Sequence, residues 1–565
     1  MKLHLLPFAA TAFFALSSVS AQAEADLSSL YGDYLSASYA NEIEDMRSRQ
    51  KYYAKAFEAV PDDIRLGRRA IVSAIETGDM DAAVDLAELV YKKDKTEAMA
   101  RTVLGVDAFR KNRNKRALKY FSGPSDDLTM TIMMQLIRGW IEVERGDLDE
   151  ARTRFESIGG AEYFNAFGKL QNAKIDILEE KYDAAAIKLD EVEATGISGV
   201  EIALTRARML ALQGQTADAL ENLTELLDDN EGLTIGPVGE YRDALEAGRD
   251  LPKISIKGQA ARAVTDPSWA FFARNRSMDG AELYLRFARW IDPSYQKSAI
   301  WLGSMLEEKG EVGQMDAYDL YRAIPDSNPY YISSQLNIAN IYFVQEKDDD
   351  ALRVLEDLND REGSLLTRES LGRARFFREN YEEALPFYTR IVDSMTDEEI
   401  TANVEPLRFR GIIYERLNRW PEAEADFKRV LEYQPDDVDT LNYLGYTWVD
   451  RGENLVEAFE MIEKALAQEP NSGAITDSLG WAHYKLGDYE EAKIHLEDAV
   501  ALDPSSATII DHLGDVYWKL GRKREAGYQW KRALLFEPTE KEKANIALKL
   551  EGGLEAVPVT VQALP

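Results

Sequence analysis

The chain has 565 residues, of which 45% are apolar and 30% are charged, so it is long enough to bury several large cores. With 67 basic against 100 acidic residues, its formal net charge of -33 at pH 7 argues against nucleic acid, a polyanion, as a partner. The absence of cysteine excludes disulfides, thiol catalysis and a lipidated cysteine anchor.

The first 23 residues have the pattern of a signal peptide. Lys2 precedes an apolar stretch from Phe8 to Leu16, and Ala21-Gln22-Ala23 is a small-residue cleavage site. We therefore expect residues 1–23 to be removed and the mature protein to be periplasmic. No later stretch has the roughly 18 consecutive apolar residues of a transmembrane helix, so we expect no membrane span in the mature chain.

A period of 34 residues runs through the sequence. Alanines recur mostly at steps of 34, and nearly every one is followed four positions later by a large apolar residue. These alanines are Ala83, Ala117, Ala151, Ala185, Ala219, Ala281, Ala317, Ala351, Ala384, Ala423, Ala458, Ala492 and Ala526. Because positions i and i+4 lie on one face of a helix, each such pair marks the packing face of one helix.

A second small residue precedes most of these alanines by about twelve positions. The set is Gly105, Gly139, Ala173, Ala207, Ala339, Gly372, Gly411, Gly445, Gly480 and Gly514. Small residues at both positions allow two antiparallel helices to approach closely, and we expect Gly480 to face Ala492. Prolines, which cannot continue a helix, then close the last units at Pro435, Pro470, Pro504 and Pro538.

These residues make the chain resemble the tetratricopeptide repeat family, in which each 34-residue unit is a helix hairpin stacked on its neighbours. The signature is densest in the C-terminal units, as in Leu479-Gly480, Ala492, Ala499 and Pro504. The resemblance covers most of residues 31–540. It implies an all-α, right-handed superhelical solenoid of antiparallel helix hairpins.

One step in the repeat is 62 residues long, and it contains Gly236-Pro237 and the string LPKISIKG, which break the helical period. We interpret it as a joint between two lobes. The expected segments are an N-terminal lobe of degenerate repeats at 31–229, the joint at 230–257, a C-terminal lobe at 258–538, a polar capping helix at 539–551 and a flexible tail at 552–565.

Motifs that carry catalysis are absent from the sequence. It contains no HExxH, no GxSxG elbow, no phosphate-binding GxxxxGK[ST] loop and no GxGxxG after a strand. His483, His495 and His512 fall at packing or surface positions of predicted helices, and there is no cysteine to complete a zinc site. We therefore predict a protein that is not an enzyme and has no metal site and no cofactor.

The predicted function of the solenoid is protein binding, because the first helices of successive repeats line a shared groove. The family's usual groove positions, transferred relative to the repeat glycines, are Asn442, Tyr446, Asp477, Trp481, Tyr484, Lys485, Asp511, Asp515, Trp518 and Lys519. Trp and Tyr offer contact area, while Asn and Lys can hold a peptide backbone. In the alternative interpretation, Trp481 and Trp518 pack between adjacent repeats and contact no ligand.

A closer resemblance covers roughly residues 400–540, in the strings LNYLGYTWVDRGENLVEAFEMIEKAL, ITDSLGWAHYKLGDYEEA and IIDHLGDVYWKLGRKREA. They are similar to exported bacterial repeat proteins that include adaptors of carboxyl-terminal processing proteases. This resemblance implies a scaffold that brings cell-wall hydrolases to such a protease. The missing lipidated cysteine puts membrane anchoring in doubt. The alternative function is a structural component of an envelope export or assembly machine.

Overall fold

The computed structural model describes most of the chain from residue 21 to residue 557. The described residues are 21–43, 45–123, 125, 127–158, 162–196, 199–228, 236–275 and 278–557. They divide into two compact units. Unit 1 ends at Leu358, and unit 2 begins at Asn359. Most of the predicted signal peptide, and the predicted tail beyond residue 557, lie outside the described residues.

Unit 1 is helical throughout its described residues. Its helices are α1 (Ala21–Glu42), α2 (Met46–Ala59), α3 (Ile64–Glu76), α4 (Met80–Lys93), α5 (Ala98–Arg110), α6 (Asn114–Phe121), α7 (Leu128–Arg145), α8 (Leu148–Glu156), α9 (Glu162–Leu178), α10 (Tyr182–Glu193), α11 (Gly199–Leu212), α12 (Thr216–Asp228), α13 (Pro237–Glu246), α14 (Ile256–Asn275), α15 (Met278–Ile291), α16 (Lys297–Glu307), α17 (Gly310–Arg322), α18 (Tyr331–Val344) and α19 (Asp348–Glu362), the last of which contains the boundary.

Unit 2 continues with twelve helices in its described residues. They are α20 (Leu365–Phe377), α21 (Tyr381–Ser394), α22 (Asp397–Ala402), α23 (Glu405–Arg416), α24 (Trp420–Tyr433), α25 (Val438–Arg451), α26 (Leu455–Gln468), α27 (Gly473–Leu486), α28 (Tyr489–Leu502), α29 (Ala507–Lys519), α30 (Lys523–Ala533) and α31 (Glu540–Gly552), and a 3-10 turn follows at Leu554–Ala556. None of the helices in the described residues is both long enough and apolar enough to span a bilayer.

Consecutive helices pair as hairpins in both units, for example α5 with α6, α9 with α10, α27 with α28 and α29 with α30. Within each unit, neighbouring hairpins pack on one another, as α4 does on α5 and α28 on α29. The predicted all-α solenoid of helix hairpins is therefore confirmed. We call the earlier helix of each hairpin its first helix and the later one its second helix.

The repeat glycines let a first helix lie directly against a large side chain of its second helix. A Cβ atom added at Gly105 would lie 2.2 Å from the ring of Phe121, and one added at Gly514 would lie 2.5 Å from the ring of Trp530. At Gly480 an added Cβ would lie 2.7 Å from Leu496 and 3.3 Å from the carbonyl oxygen of Ala492. The residue one turn beyond the alanine thus fills the space over the glycine, because an alanine methyl is too short to reach it.

In unit 1 the hairpin of α14 and α15 covers the first helices of the N-terminal repeats. These two helices contact α3, α5, α7 and α9, and their apolar side chains belong to the same core. Polar contacts fix the arrangement, since the hydroxyl of Tyr284 donates to the carbonyl oxygen of Thr129 at 2.5 Å and the ammonium of Lys257 donates to that of Arg110 at 2.8 Å. The N-terminal first helices therefore carry a hairpin of the same chain on their common face.

The compact units do not follow the segment boundaries that we expected from the sequence. The described part of the expected joint, from residue 236, contains α13, which packs on α11 and α12 inside unit 1. The hairpin of α14 and α15 belongs to the expected C-terminal lobe, yet it packs on N-terminal helices. A break in the helical period marks a change in local geometry, and packing between distant helices decides where a compact unit ends.

Two glycine-to-alanine variants test the close helix approach in the last repeat. We expect Gly514→Ala to lower the free energy of unfolding of unit 2 by about 1–3 kcal/mol, because the methyl group overlaps the buried ring of Trp530. Gly527→Ala on α30 is the matched control. An added Cβ there meets nothing within 4 Å, so a gain of up to about 1 kcal/mol is expected. Urea unfolding followed by tryptophan fluorescence measures both, and equal effects would contradict the packing argument.

Candidate protein-binding face

The predicted groove residues lie on three successive first helices of unit 2, α25, α27 and α29. We call the surface formed by the first helices α20, α23, α25, α27 and α29 the first-helix face of unit 2. On it, the buried members of the predicted set are Asp477, Trp481, Asp511 and Asp515, the half-buried ones are Asn442, Tyr446, Tyr484 and Trp518, and the exposed ones are Lys485 and Lys519. The predicted set is thus divided between internal and accessible positions.

Trp481 forms the middle of an aromatic stack. Its ring lies 4.5 Å from that of Tyr484 on one side and 4.0 Å from that of His512 on the other, both measured between ring centroids, and both neighbours are nearly parallel to it. Since both ring faces are occupied, Trp481 packs between α27 and α29. Its position agrees with the alternative interpretation, in which this tryptophan joins adjacent repeats.

A buried histidine-carboxylate pair lies beside this stack. The Nδ1 atom of His512 is 2.9 and 3.0 Å from the two carboxylate oxygens of Asp477, which is the preceding repeat's equivalent of Asp511. Burial alone would lower the pKa of His512, but the charge of Asp477 and its hydrogen bond outweigh burial and raise it. The pair is a link between repeats that strengthens when the imidazole is protonated.

The capping helix supplies a cation to the two aspartates of α29. The ammonium of Lys549 on α31 donates to Asp511 at 2.7 Å and to Asp515 at 2.8 Å, and the indole of Trp530 donates to Asp515 at 2.9 Å. Burial, together with the neighbouring charge of Asp511, raises the pKa of Asp515 to about 6. The two carboxylates outweigh burial at Lys549 and raise its pKa as well. This end of the face is therefore closed by the chain itself.

The residues after α31 cover Trp518. Gly553 has a φ of +78°, and a Cβ added to it would lie 2.0 Å from the indole of Trp518. The indole N–H of Trp518 also approaches Glu555 at 3.4 Å, and the ammonium of Lys523 lies 4.5 Å from the centroid of the ring. Residues 552–557, which we expected to begin a flexible tail, pack on Trp518.

Two amide or carboxylate oxygens of this face have no hydrogen-bond donor in the described part of the chain. They are Oδ1 of Asn442 and Oδ1 of Asp511, and both atoms are buried from solvent. Asn442, Asp477 and Asp511 each lie three residues before a repeat glycine, so they form a row along α25, α27 and α29. Asp477 and Asp511 are buried and are paired with His512 and Lys549, so within this row the half-buried Asn442 is the residue that can hydrogen-bond to an extended peptide.

The face also includes residues on α20 and α23 that were not among the predicted groove residues. Arg373 on α20 pairs with Glu405 at 3.6 Å, and Arg408 on α23 pairs with Asp439 on α25 at 3.0 Å. Phe377 is 67% exposed. The repeat spacing could have predicted two of these residues. Arg373 and Phe377 follow Gly372 by one and five positions, as Trp481 and Lys485 follow Gly480. The residues on α20 and α23 add exposed charge and one apolar side chain to the face.

Known repeat families match two segments of unit 2. Residues 410–473 match the family described as tetratricopeptide repeat, and residues 480–521 match the one described as TPR repeat. The chain contains tetratricopeptide repeats. The two segments include α25, part of α27 and all of α29, so the predicted groove residues lie within or beside tetratricopeptide repeats. Such repeats indicate a scaffold for protein interactions, a role that is typically non-enzymatic.

Two curated relatives share only part of their length with the chain. A TPR repeat-containing protein of Pseudomonas aeruginosa is 26% identical over 195 residues, which is 34% of this chain and 32% of that protein. The protein CTR9 homolog of Arabidopsis thaliana is 21% identical over 361 residues, which is 60% of this chain and 32% of that protein. The chain thus spans about a third of the length of each of these relatives.

Similar solved structures include the Cut9-Hcn1 hetero-tetramer of the APC/C and a tetratricopeptide repeat protein from Parabacteroides merdae. The first is 14% identical with a TM-score of 0.36, and it covers 93% of this chain and 95% of its own. The second is 17% identical with a TM-score of 0.34, and it covers 53% of this chain and 99% of its own.

Replacement of Lys549 tests the closure by α31. We expect Lys549→Met to destabilise unit 2 by about 3–5 kcal/mol, because it leaves the buried carboxylates of Asp511 and Asp515 without their cation. Lys543→Met on the same helix removes an exposed ion pair with Glu540 and is the control, expected to cost at most about 1 kcal/mol. Urea unfolding and amide hydrogen exchange of α31 report the difference, and equal costs would argue against an internal cation.

The pH dependence of stability tests the histidine pair. The folded-state pKa of His512 is raised above its ordinary 6.5, and that of Asp515 is raised above its ordinary 3.8. At these two residues the folded state therefore binds more protons than the unfolded state does. The stability that these groups contribute is therefore lost as pH rises through their folded pKa values. We expect His512→Gln to make this decline shallower above about pH 6.

The control for this measurement is His495, whose pKa is shifted in the opposite direction. Burial and the neighbouring His483 lower the pKa of His495, so its contribution to stability grows as pH rises. We therefore expect His495→Gln to make the decline steeper. Urea unfolding of both variants between pH 5 and 8 gives the slopes, and the same change of slope in both would refute the assignment of signs.

Proposed function

We propose that this protein is a periplasmic scaffold that binds an extended segment of another envelope protein on the first-helix face of unit 2. The observation that carries the proposal is the half-buried Asn442 on α25, whose amide oxygen has no hydrogen-bond donor in the described part of the chain. Beside the row, Tyr446 and Tyr484 are half-buried and Lys485 is exposed. A peptide backbone can hydrogen-bond to the amide of Asn442 while its side chains contact the two tyrosines.

The site that we propose is smaller than the predicted groove. Its centre is on α25 and the accessible part of α27, because Lys549 and residues 552–557 already occupy the aspartates and Trp518 of α29. Lys485 pairs with the carboxylate of Asp450 at 3.2 Å, and the two side chains are 30% and 56% exposed, so solvent weakens this ion pair and a ligand can compete for the ammonium. The partner segment therefore lies across α23, α25 and α27.

The more specific form of the proposal is an adaptor that brings cell-wall hydrolases to a carboxyl-terminal processing protease. Its support is the pattern of a signal peptide in residues 1–23 and the resemblance of residues 400–540 to exported repeat proteins of that kind. Division of the chain into two compact units is compatible with binding two proteins at once.

Site-specific photocrosslinking in bacterial cells with an intact periplasm tests the proposal. A photoreactive residue is placed at Tyr484, and at Tyr528 on the second helix α30, whose side chain is 70% exposed, as a control. We expect a discrete envelope protein to be captured from position 484 and not from position 528. A processing protease or a wall hydrolase supports the adaptor, while components of an outer-membrane export complex support the alternative of a structural part. Identical capture from both positions contradicts binding at this face.

The contribution of Asn442 can be measured once the partner segment is known. We expect Asn442→Ala to raise the dissociation constant of that segment about 3- to 10-fold, the size of one lost hydrogen bond. Asn471→Ala in the exposed turn before α27 is the control and is expected to leave affinity unchanged. Isothermal titration calorimetry on the full mature chain gives both values, and an unchanged affinity in Asn442→Ala would contradict a hydrogen bond between Asn442 and the partner segment.

A further inference from the structure

Unit 1 contains a partly enclosed cavity among α7, α9, α11, α13 and α14, away from the face discussed above. Its volume is about 210 Å³, which is the space of about seven water molecules. Apolar side chains make most of its wall, and they are Trp140, Ile177, Leu178, Leu204, Leu212, Ile254 and Ile256. The volume is below the roughly 300–1,000 Å³ of common small-molecule pockets, so only a small ligand fits.

The polar part of the wall carries an excess of positive charge. Lys174, Arg208 and Arg262 line it against a single carboxylate, that of Glu201, among the described residues. Lys174 lies 2.7 Å and Arg262 3.3 Å from that carboxylate. Burial would raise the pKa of Glu201, but these cations outweigh it and lower the pKa to about 2, so Glu201 is ionised and the wall retains two uncompensated cations.

Arg208 is the cation that has no carboxylate partner within ion-pair distance in the described part of the chain. Its Nη2 atom donates to the hydroxyl of Tyr241 at 2.6 Å and to the carbonyl oxygen of Pro252 at 2.5 Å, and both of these acceptors are neutral. The guanidinium also lies over the ring of Tyr241 at 5.3 Å, which fixes its plane. A guanidinium held by neutral groups keeps its full charge and further N–H donors for an anion.

The charges next to this wall do not cancel the excess. Asp266 and Lys297 belong to the same buried cluster and contribute one charge of each sign. Burial and the charge of Glu201 raise the pKa of Asp266 to about 6, and neither of its carboxylate oxygens has a hydrogen-bond partner among the described residues. Below about pH 6 this carboxyl becomes neutral, and the positive excess then grows.

Leucines at the edge of the cavity indicate how a ligand enters. Leu178 is 60% exposed and Leu212 is 58% exposed, although both line the cavity. Two exposed leucines at the cavity edge extend its apolar wall outward and offer a ligand additional apolar contact. The arrangement suits a molecule whose charged end lies at the buried cations and whose apolar end contacts these two leucines.

We propose that this cavity binds a small carboxylic acid with an apolar body, through its carboxylate on Arg208 and its hydrocarbon part on the leucine and isoleucine wall. Since Nη2 already donates to Tyr241 and Pro252, the carboxylate accepts from the remaining N–H groups of the guanidinium, those of Nη1 and Nε. Seven water volumes correspond to a body of about six to eight carbon atoms. The proposal is independent of protein binding at the first-helix face of unit 2.

Calorimetric titration of the full mature chain with octanoate tests the charge requirement. We expect one molecule of octanoate to bind per chain, and 1-octanol, which has the same body without the charge, to bind at least 10-fold more weakly. Octylamine is expected not to bind. Equal affinity of octanoate and octanol, or no octanoate binding at millimolar concentration, would overturn the proposal.

Variants locate the site. Arg208→Met is expected to weaken octanoate binding at least 10-fold. The control is Arg206→Met on the same helix, α11, which removes a guanidinium paired with Asp190 and Glu193 of α10 and is expected to leave octanoate binding unchanged. Because Arg208→Met removes partly buried contacts, Leu212→Glu at the exposed cavity edge is the second variant. Its carboxylate repels the ligand, so a loss of at least 10-fold is again expected, and Leu486→Glu, 55% exposed in unit 2, is its control.

A peptide arm separates a free acid from a chain terminus. A short peptide that ends in leucine is titrated as the free acid and as the C-terminal amide. Octanoate binding that is lost in both Arg208→Met and Leu212→Glu supports the small-acid site. Binding of the peptide acid without binding of octanoate would overturn it in favour of a peptide terminus, and octanoate binding that survives both substitutions would place the ligand elsewhere.

Discussion

The close approach of paired helices is the constraint on which the rest of this structure depends. At Gly105, Gly139, Gly411, Gly480 and Gly514 there is no room for a Cβ atom, because a large side chain of the second helix already lies there. A hairpin locked in this way buries its apolar residues between its two helices and against the next hairpin. What remains on the first helices is a surface whose composition the packing does not dictate, and this freedom allows a repeat scaffold to acquire binding sites.

Each unit uses part of that free surface for itself. In unit 1 the hairpin of α14 and α15 lies on α3, α5, α7 and α9, and in unit 2 the helix α31 brings Lys549 to Asp511 and Asp515. Both solutions follow one rule, that buried charges and polar groups need partners. Where partners are supplied internally the surface is structural. Where a hydrogen-bond donor is missing, as at Asn442 in unit 2, or a carboxylate is missing, as at Arg208 in unit 1, the surface retains capacity to bind another molecule.

The electrostatics of the two sites differ from the average of the chain. A net charge of -33 predicts repulsion of anions at long range, yet cations outnumber carboxylates in the wall of the unit 1 cavity. In unit 2 the opposite holds, since Asp477, Asp511 and Asp515 collect around His512 and Lys549. Short-range interactions in a low-dielectric interior are much stronger than the screened field of distant surface charges, so local composition decides what each site attracts.

The sequence by itself determined the helices, their pairing and the repeat, because the small residues, the apolar residues four positions later and the closing prolines act within one hairpin. It also placed Asn442, Tyr446, Tyr484 and Lys485 on first helices. Only the tertiary structure decided which of these positions stay open. Lys549 reaches Asp511 across 38 residues and Tyr284 reaches Thr129 across 155. A local period carries no information about such contacts, since they depend on how the stacked hairpins curve and on which distant helix fills the space.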